Sequence, residues 1–133
     1  MARGDGPLAG MKVIDLTHVM AGPTCALMLA DMGADVIKVE KVPGGDDTRR
    51  AVPPKIEDEA AAFLVMNRGK RSVAVDLKTD GGKEVVRKLA ADADVVIENY
   101  RQGTMAKLGL AYEDLKKTNP KLVWCSISGF GQT

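Results

Sequence analysis

Short runs rich in β-branched residues alternate along this chain with longer stretches of helical period, the order expected of a parallel sheet whose strands are joined by crossover helices. Five strands are predicted, at residues 11–16 (MKVIDL), 36–40 (VIKVE), 72–77 (SVAVDL), 95–98 and 122–126. A helix over about 23–32 fits between the first two, because Pro23 suits a first helical turn and Gly33 a left-handed stop. Thr79 or Asp80 can cap a second helix running to Ala91, with Val85, Val86 and Leu89 on one face and Glu84 four residues before Lys88. Residues 60–66 read as a short buried helix and 112–118 as another, stopped before Pro120. The segment 42–54 holds Gly44, Gly45, Asp46, Asp47, Pro53 and Pro54, a composition that favours a long surface loop over regular structure. The fold class is α/β, an open Rossmann-like, mostly parallel sheet with crossover helices.

No repeat and no shift in composition divides the 133 residues. Their end, residues 128–133 (SGFGQT), is turn-forming and leads to no further element. An open parallel sheet would continue, so residues 1–133 read as the N-terminal portion of a larger domain. A chain of this length buries roughly two thirds of its unfolded surface, enough for a core of its own.

Charge changes the picture by exclusion. Lys and Arg number 19 against 18 Asp and Glu, so no global field favours nucleic acid or an anionic membrane, and any anion site must be local. Cys25 and Cys125 are 100 positions apart and His18 is the single histidine, which argues against a metal site or a disulfide framework and for reduced thiols in the cytosol. The apolar run 60–66 is too short to span a bilayer, and residues 1–6 lack the apolar stretch of a secretory leader. A cytoplasmic protein is expected.

Candidate chemistry gathers at strand ends, where ligands bind in a parallel α/β sheet. After the first strand come Thr17, His18, Val19, Met20, Ala21, Gly22 and Pro23, and the free amides of the helix that follows favour a phosphate or carboxylate. Taken alone, Gly22 and Pro23 are a helix start. Neither G-x-G-x-x-G nor a Walker A pattern is present. Glu40 ends the second strand, where a dinucleotide-binding domain keeps an acid for ribose, but without the glycine fingerprint it reads as a solvated carboxylate beside Lys38 and Lys41. His18 reads as a loop residue that contacts ligand without catalysing. The run Asn67, Arg68, Gly69, Lys70, Arg71, together with Lys78, Arg49, Arg50, Arg101 and Lys107, supplies donors of the kind that hold phosphates; a solvated basic face fits the same spacing.

The order of the motifs resembles the N-terminal part of the family III CoA-transferases. It runs from PLAGMKVIDL (7–16) and Ala21-Gly22-Pro23 through ADMGADVIKVE (30–40), GDDTR (45–49), NRGKRS (67–72), Asp76-Leu77-Lys78 and Glu98-Asn99-Tyr100 to SISGFGQT (126–133). The resemblance implies transfer of coenzyme A between an acyl-CoA thioester and a carboxylic acid by an interlocked homodimer, with no cofactor beyond the coenzyme A of the substrate. It also implies an aspartate nucleophile that passes through mixed anhydride and aspartyl-CoA stages. That aspartate belongs beyond Thr133, so no catalytic residue is expected here. Carried over position by position, His18, Val19, Met20 and Ala21 meet the reactive end of coenzyme A, Lys41 faces the phosphates, and Val75 with Lys78 surround the adenine. Asn99 and Tyr100 match an Asn-Phe pair at the pocket, and Lys107 a position often held by Arg. Met20 stands where the formyl-CoA branch has Gln, which argues against formate or oxalate. Two alternatives stay open: an α-methylacyl-CoA racemase, which shares these opening motifs, and a small module that binds coenzyme A or another nucleotide without catalysis.

Overall fold

A computed structural model describes residues 5–51 and 53–133 of the chain. Five strands form one sheet: β1 (Lys12–Leu16), β2 (Asp35–Lys41), β5 (Arg71–Val75), β6 (Val95–Glu98) and β7 (Val123–Ser126). Their spatial order is β5-β2-β1-β6-β7, and every pairing is parallel. The chain therefore builds outward from β1 on one side, then returns to build outward on the other. Adjacent crossovers at β1 and β6 leave opposite faces of such a sheet, and the gap between them is where this architecture receives ligands.

Helix α1 (Ala21–Asp31) covers one face and α3 (Asp80–Ala91) with α5 (Tyr112–Leu115) the other. The alternation of strand side chains sorts the core accordingly. Val13, Val36 and Ile97 pack with Ala26 of α1, while Ile14, Leu16, Val39 and Val96 pack with Val86, Ala90 and Leu115. Thr79 caps α3 by accepting the Gly82 N–H at 3.0 Å. Val86 and Ala90 form the buried stripe of that helix, whereas Val85 is 39% exposed. Gly33, at φ +100°, makes the left-handed stop after α1.

All five predicted strands are present, that at 95–98 with the same bounds and the others with edges shifted by a residue or two. Among its described residues the loop at 42–54 holds one 3-10 turn (Asp47–Arg50), and it leads into a two-strand hairpin, β3 (Lys55–Ile56) with β4 (Glu59–Ala60). Helix α2 (Ala61–Asn67) follows; Phe63 and Met66 are buried, Leu64 and Val65 are exposed, so it is a half-covered helix and not a fully buried one. A one-turn helix, α4 (Thr104–Lys107), lies between β6 and α5. Among the described residues, no helix is long and apolar enough to cross a membrane.

Candidate functional site

On the α1 side of the sheet, parity places Lys38 and Glu40 of β2 in line with Val36, and Asp15 of β1 in line with Val13. Deep in the sheet this row is apolar. Toward the strand ends it becomes charged, and the 42–50 loop closes over it. Lys38 is 1% exposed, and its Nζ lies 2.9 Å from Asp46 Oδ2 and 4.0 Å from Asp15 Oδ2. Lys70 Nζ pairs with Asp15 Oδ2 at 2.9 Å and with Asn67 Oδ1 at 3.0 Å. Two buried ammonium groups thus alternate with two buried carboxylates. Burial pushes the Lys70 ammonium below its ordinary value, against the pull of Asp15. Burial would raise the Asp46 carboxyl, but hydrogen bonds from Thr48 and the charge of Lys38 outweigh it and hold it at about 2.

These charges grip the backbone of the 17–20 turn that follows β1. Thr17 N–H donates to Asp15 Oδ1 at 2.9 Å, and Lys38 Nζ donates to the Thr17 carbonyl at 2.9 Å. Asn99, just past β6, accepts the His18 N–H and donates to the His18 carbonyl, both at 2.9 Å. Val19 N–H donates to the Asp46 carboxylate at 3.2 and 3.3 Å, and Lys70 Nζ reaches the Pro23 carbonyl at 2.8 Å. Val19 has φ +68°, a left-handed conformation that a β-branched side chain disfavours. Gly22 packs directly on Thr17; a Cβ there would lie 2.2 Å from the Thr17 Cβ.

Glu40 corrects the sequence expectation. Instead of facing solvent beside Lys38 and Lys41, it is 2% exposed. Arg49 Nε and Nη2 donate to its two oxygens at 2.7 Å, with Ser72 Oγ at 2.6 Å and the Asp46 N–H at 2.9 Å. Burial acts to raise its pKa, yet these donors bring it down to about 2. Arg49 also meets Glu59 and lies over the Phe63 ring at 3.8 Å, so it is committed to the interior of the loop. The basic run 67–71 disperses in the same way: Arg68 pairs with Asp31, Arg71 with Asp35, and Lys70 turns inward. It forms neither a phosphate cluster nor a uniformly solvated face.

Two open pockets flank this framework and share Tyr100 as a wall. One, of about 410 Å³, brings His18, Lys41, Val75, Lys78 and Tyr100 together with Leu77, Asp76 and Leu108. The other, of about 570 Å³, takes in Ala21, Asn99, Tyr100 and Arg101 beside residues 127–131. His18 stands edge-on to Tyr100 with ring centroids 4.9 Å apart, and burial lowers its pKa below the ordinary histidine value. Burial, with Glu98 nearby, raises the Tyr100 hydroxyl to about 12, so it stays a neutral donor. Lys41 forms an exposed ion pair with Asp47 at 2.7 Å. Val19 and Met20, 45% and 63% exposed, form the tip of the turn between the pockets and line neither. Lys107 ends α4, exposed, one residue before the pocket-lining Leu108. Lys38 and Asp46 carry no site role in the sequence reading, and Lys70, read there as one of the phosphate donors of the basic run, is instead spent on Asp15 and Asn67. For Lys38 the parity with Val36 was the available clue.

A sequence model described as CoA-transferase family III matches residues 8–133. The chain belongs to this family. It is 56% identical over 96% of its length to succinate–glutarate CoA-transferase of Agrobacterium fabrum, and 46% identical over 99% to acetyl-CoA:oxalate CoA-transferase of Acetobacter aceti. The match covers 33% and 34% of those proteins, so the chain spans about a third of the length of these curated relatives. Among solved structures, a CAIB/BAIF family protein from Brucella suis superposes with a TM-score of 0.91 at 52% identity, covering 96% of this chain and 35% of that one. Rv3272 from Mycobacterium tuberculosis gives 0.88 at 46%, covering 97% and 35%. Family III membership thus accounts for the parallel α/β sheet and for the order of its motifs.

Proposed function

We propose that this chain is the coenzyme A-binding part of a CoA-transferase that moves coenzyme A from an acyl-CoA thioester to a free carboxylic acid. The observation that carries the reading is the 410 Å³ pocket, where residues from four separate segments, His18, Lys41, Val75 with Lys78, and Tyr100, converge at the strand ends. Lys41 and Lys78 supply positive charge for the phosphates of coenzyme A, while Val75, Leu77 and Leu108 offer apolar surface. The pantetheine arm then runs past His18 toward the 17–21 turn, and the acyl group enters the neighbouring pocket beyond Tyr100.

In this reading the nucleophile is an aspartate beyond Thr133. Its carboxylate attacks the thioester carbonyl and expels CoA thiolate, leaving a mixed anhydride; the thiolate attacks the aspartyl carbonyl and releases the first acid. The second acid reverses both steps. Residues 1–133 contribute binding and orientation, and the working enzyme is an interlocked homodimer. The relatives named above are transferases, which favours transfer over racemisation. Succinate, glutarate and oxalate in their names favour a dicarboxylic acid as one partner, and Arg101 in the second pocket is a cation suited to its far carboxylate.

Calorimetric titration of the full-length protein with coenzyme A, followed by exchange of labelled acid into acyl-CoA, tests the proposal. Binding that weakens in Lys78→Ala and Lys41→Ala, with exchange in the wild type, is the expected result. Absence of heat from coenzyme A would remove the reading.

A further inference from the structure

The 17–20 turn is held in an unusual way. Its polar backbone groups are satisfied mainly by side chains from other segments: Thr17 C=O by Lys38, the N–H and C=O of His18 by Asn99, and Val19 N–H by Asp46. Lys38 and Asp46 also pair with each other at 2.9 Å while nearly inaccessible to water. Burying such a pair gives little net stability compared with apolar residues of similar size, because desolvation offsets most of the attraction. Leaving either partner alone would be costly. The two groups do something an apolar pair could not: they grip the turn from two sides and hold Val19 at φ +68°.

We propose that the Lys38–Asp46 pair is a positioning device that fixes the 17–20 turn so that it seats the thioester end of coenzyme A, while the nucleotide end binds independently of it. The inference rests on the coenzyme A reading above. Asp46 is well placed for this role because it links three parts of the site. It accepts from Lys38 of β2, from Val19 of the turn, and from Thr48 N–H at 3.0 Å in its own loop. Its own N–H is anchored on Glu40. Any movement of the 42–50 loop is therefore transmitted to the turn through one carboxylate.

The test uses the full-length protein carrying Asp46→Asn, Lys38→Met or both. Asp46→Asn is nearly isosteric and keeps Oδ1 as an acceptor. Each single variant should weaken coenzyme A binding roughly tenfold, equivalent to about 1.4 kcal/mol, while adenosine 3′,5′-bisphosphate, which lacks the pantetheine arm, binds as in the wild type. The double variant should be no worse than the weaker single one, because each change removes the same device. Unchanged coenzyme A affinity overturns the proposal, and so does equal weakening of both ligands, which would mean general loss of structure. A wild type that binds neither ligand sinks the coenzyme A reading and this inference with it. A measurement on the wild type needs no variant to fold: the Val19 amide should be strongly protected from hydrogen exchange, and exchange at the rate of a free loop amide overturns the proposal.

Discussion

The Asn99 side chain brackets the His18 backbone, accepting its N–H and donating to its carbonyl at 2.9 Å each. An amide side chain here does what a neighbouring strand would do, extending the β1–β6 ladder beyond its last backbone pair. Asn99→Asp keeps the acceptor for the His18 N–H but sets an oxygen against the His18 carbonyl. Loss of one such bond with its partner left buried costs about 1–3 kcal/mol. Urea unfolding should report that destabilisation, and coenzyme A titration a weaker complex, with Asn99→Leu worse in both.

Gly22 offers a steric prediction. A Cβ at this position would sit 2.2 Å from the Thr17 Cβ, closer than any real contact. Gly22→Ala must push α1 away from the end of β1, at a cost of about 1–3 kcal/mol. Thermal denaturation should show a melting point several degrees lower, although Ala favours helix elsewhere.

The Glu40–Arg49 pair predicts acid sensitivity with a definite sign. The folded carboxyl lies at about 2 and an unfolded glutamate at 4.5, so the unfolded chain binds the proton first as pH falls. The stabilisation is complete above the unfolded value and is lost progressively between there and about pH 2. From this separation it is on the order of 3 kcal/mol. Urea midpoints at pH 3 and pH 6 should differ more for the wild type than for Glu40→Gln.

Arg101 lines the second pocket and makes no ion pair with any described residue. If it meets the far carboxylate of a dicarboxylic acid, Arg101→Gln should raise KM for that acid roughly tenfold or more, the scale of a lost charge-assisted hydrogen bond. KM for a monocarboxylic acid should hold steady. Steady-state exchange with succinate and with butyrate separates the two outcomes.

The strands were legible because β-branched runs such as VIKVE and SVAVDL leave few alternatives, and α3 because its cap and its apolar stripe agree. The β3–β4 hairpin escaped notice because two residues per strand carry no periodicity. The charged interior escaped for a different reason. Lys38, Glu40 and Lys70 look like surface residues one at a time, and what buries them lies elsewhere: Asp46 for Lys38, Arg49 for Glu40, and Asp15, 55 positions away, for Lys70. Pairing across such distances follows from topology, which local pattern does not specify. The pocket itself was easier to foresee, since strand ends collect ligands whatever the sequence between them.

The seam between β1 and β6 also sets an order of events in time. Asn99 and the turn it braces are 81 positions apart, so the closure of a long loop must precede the contact. Local α1 and the β1–β2 crossover can condense early, but contacts of such range form slowly. On the ribosome the nascent chain must emerge through β6 before His18 finds its partner. If coenzyme A binds as proposed, competence to take it up should therefore appear only when the second half of the sheet docks.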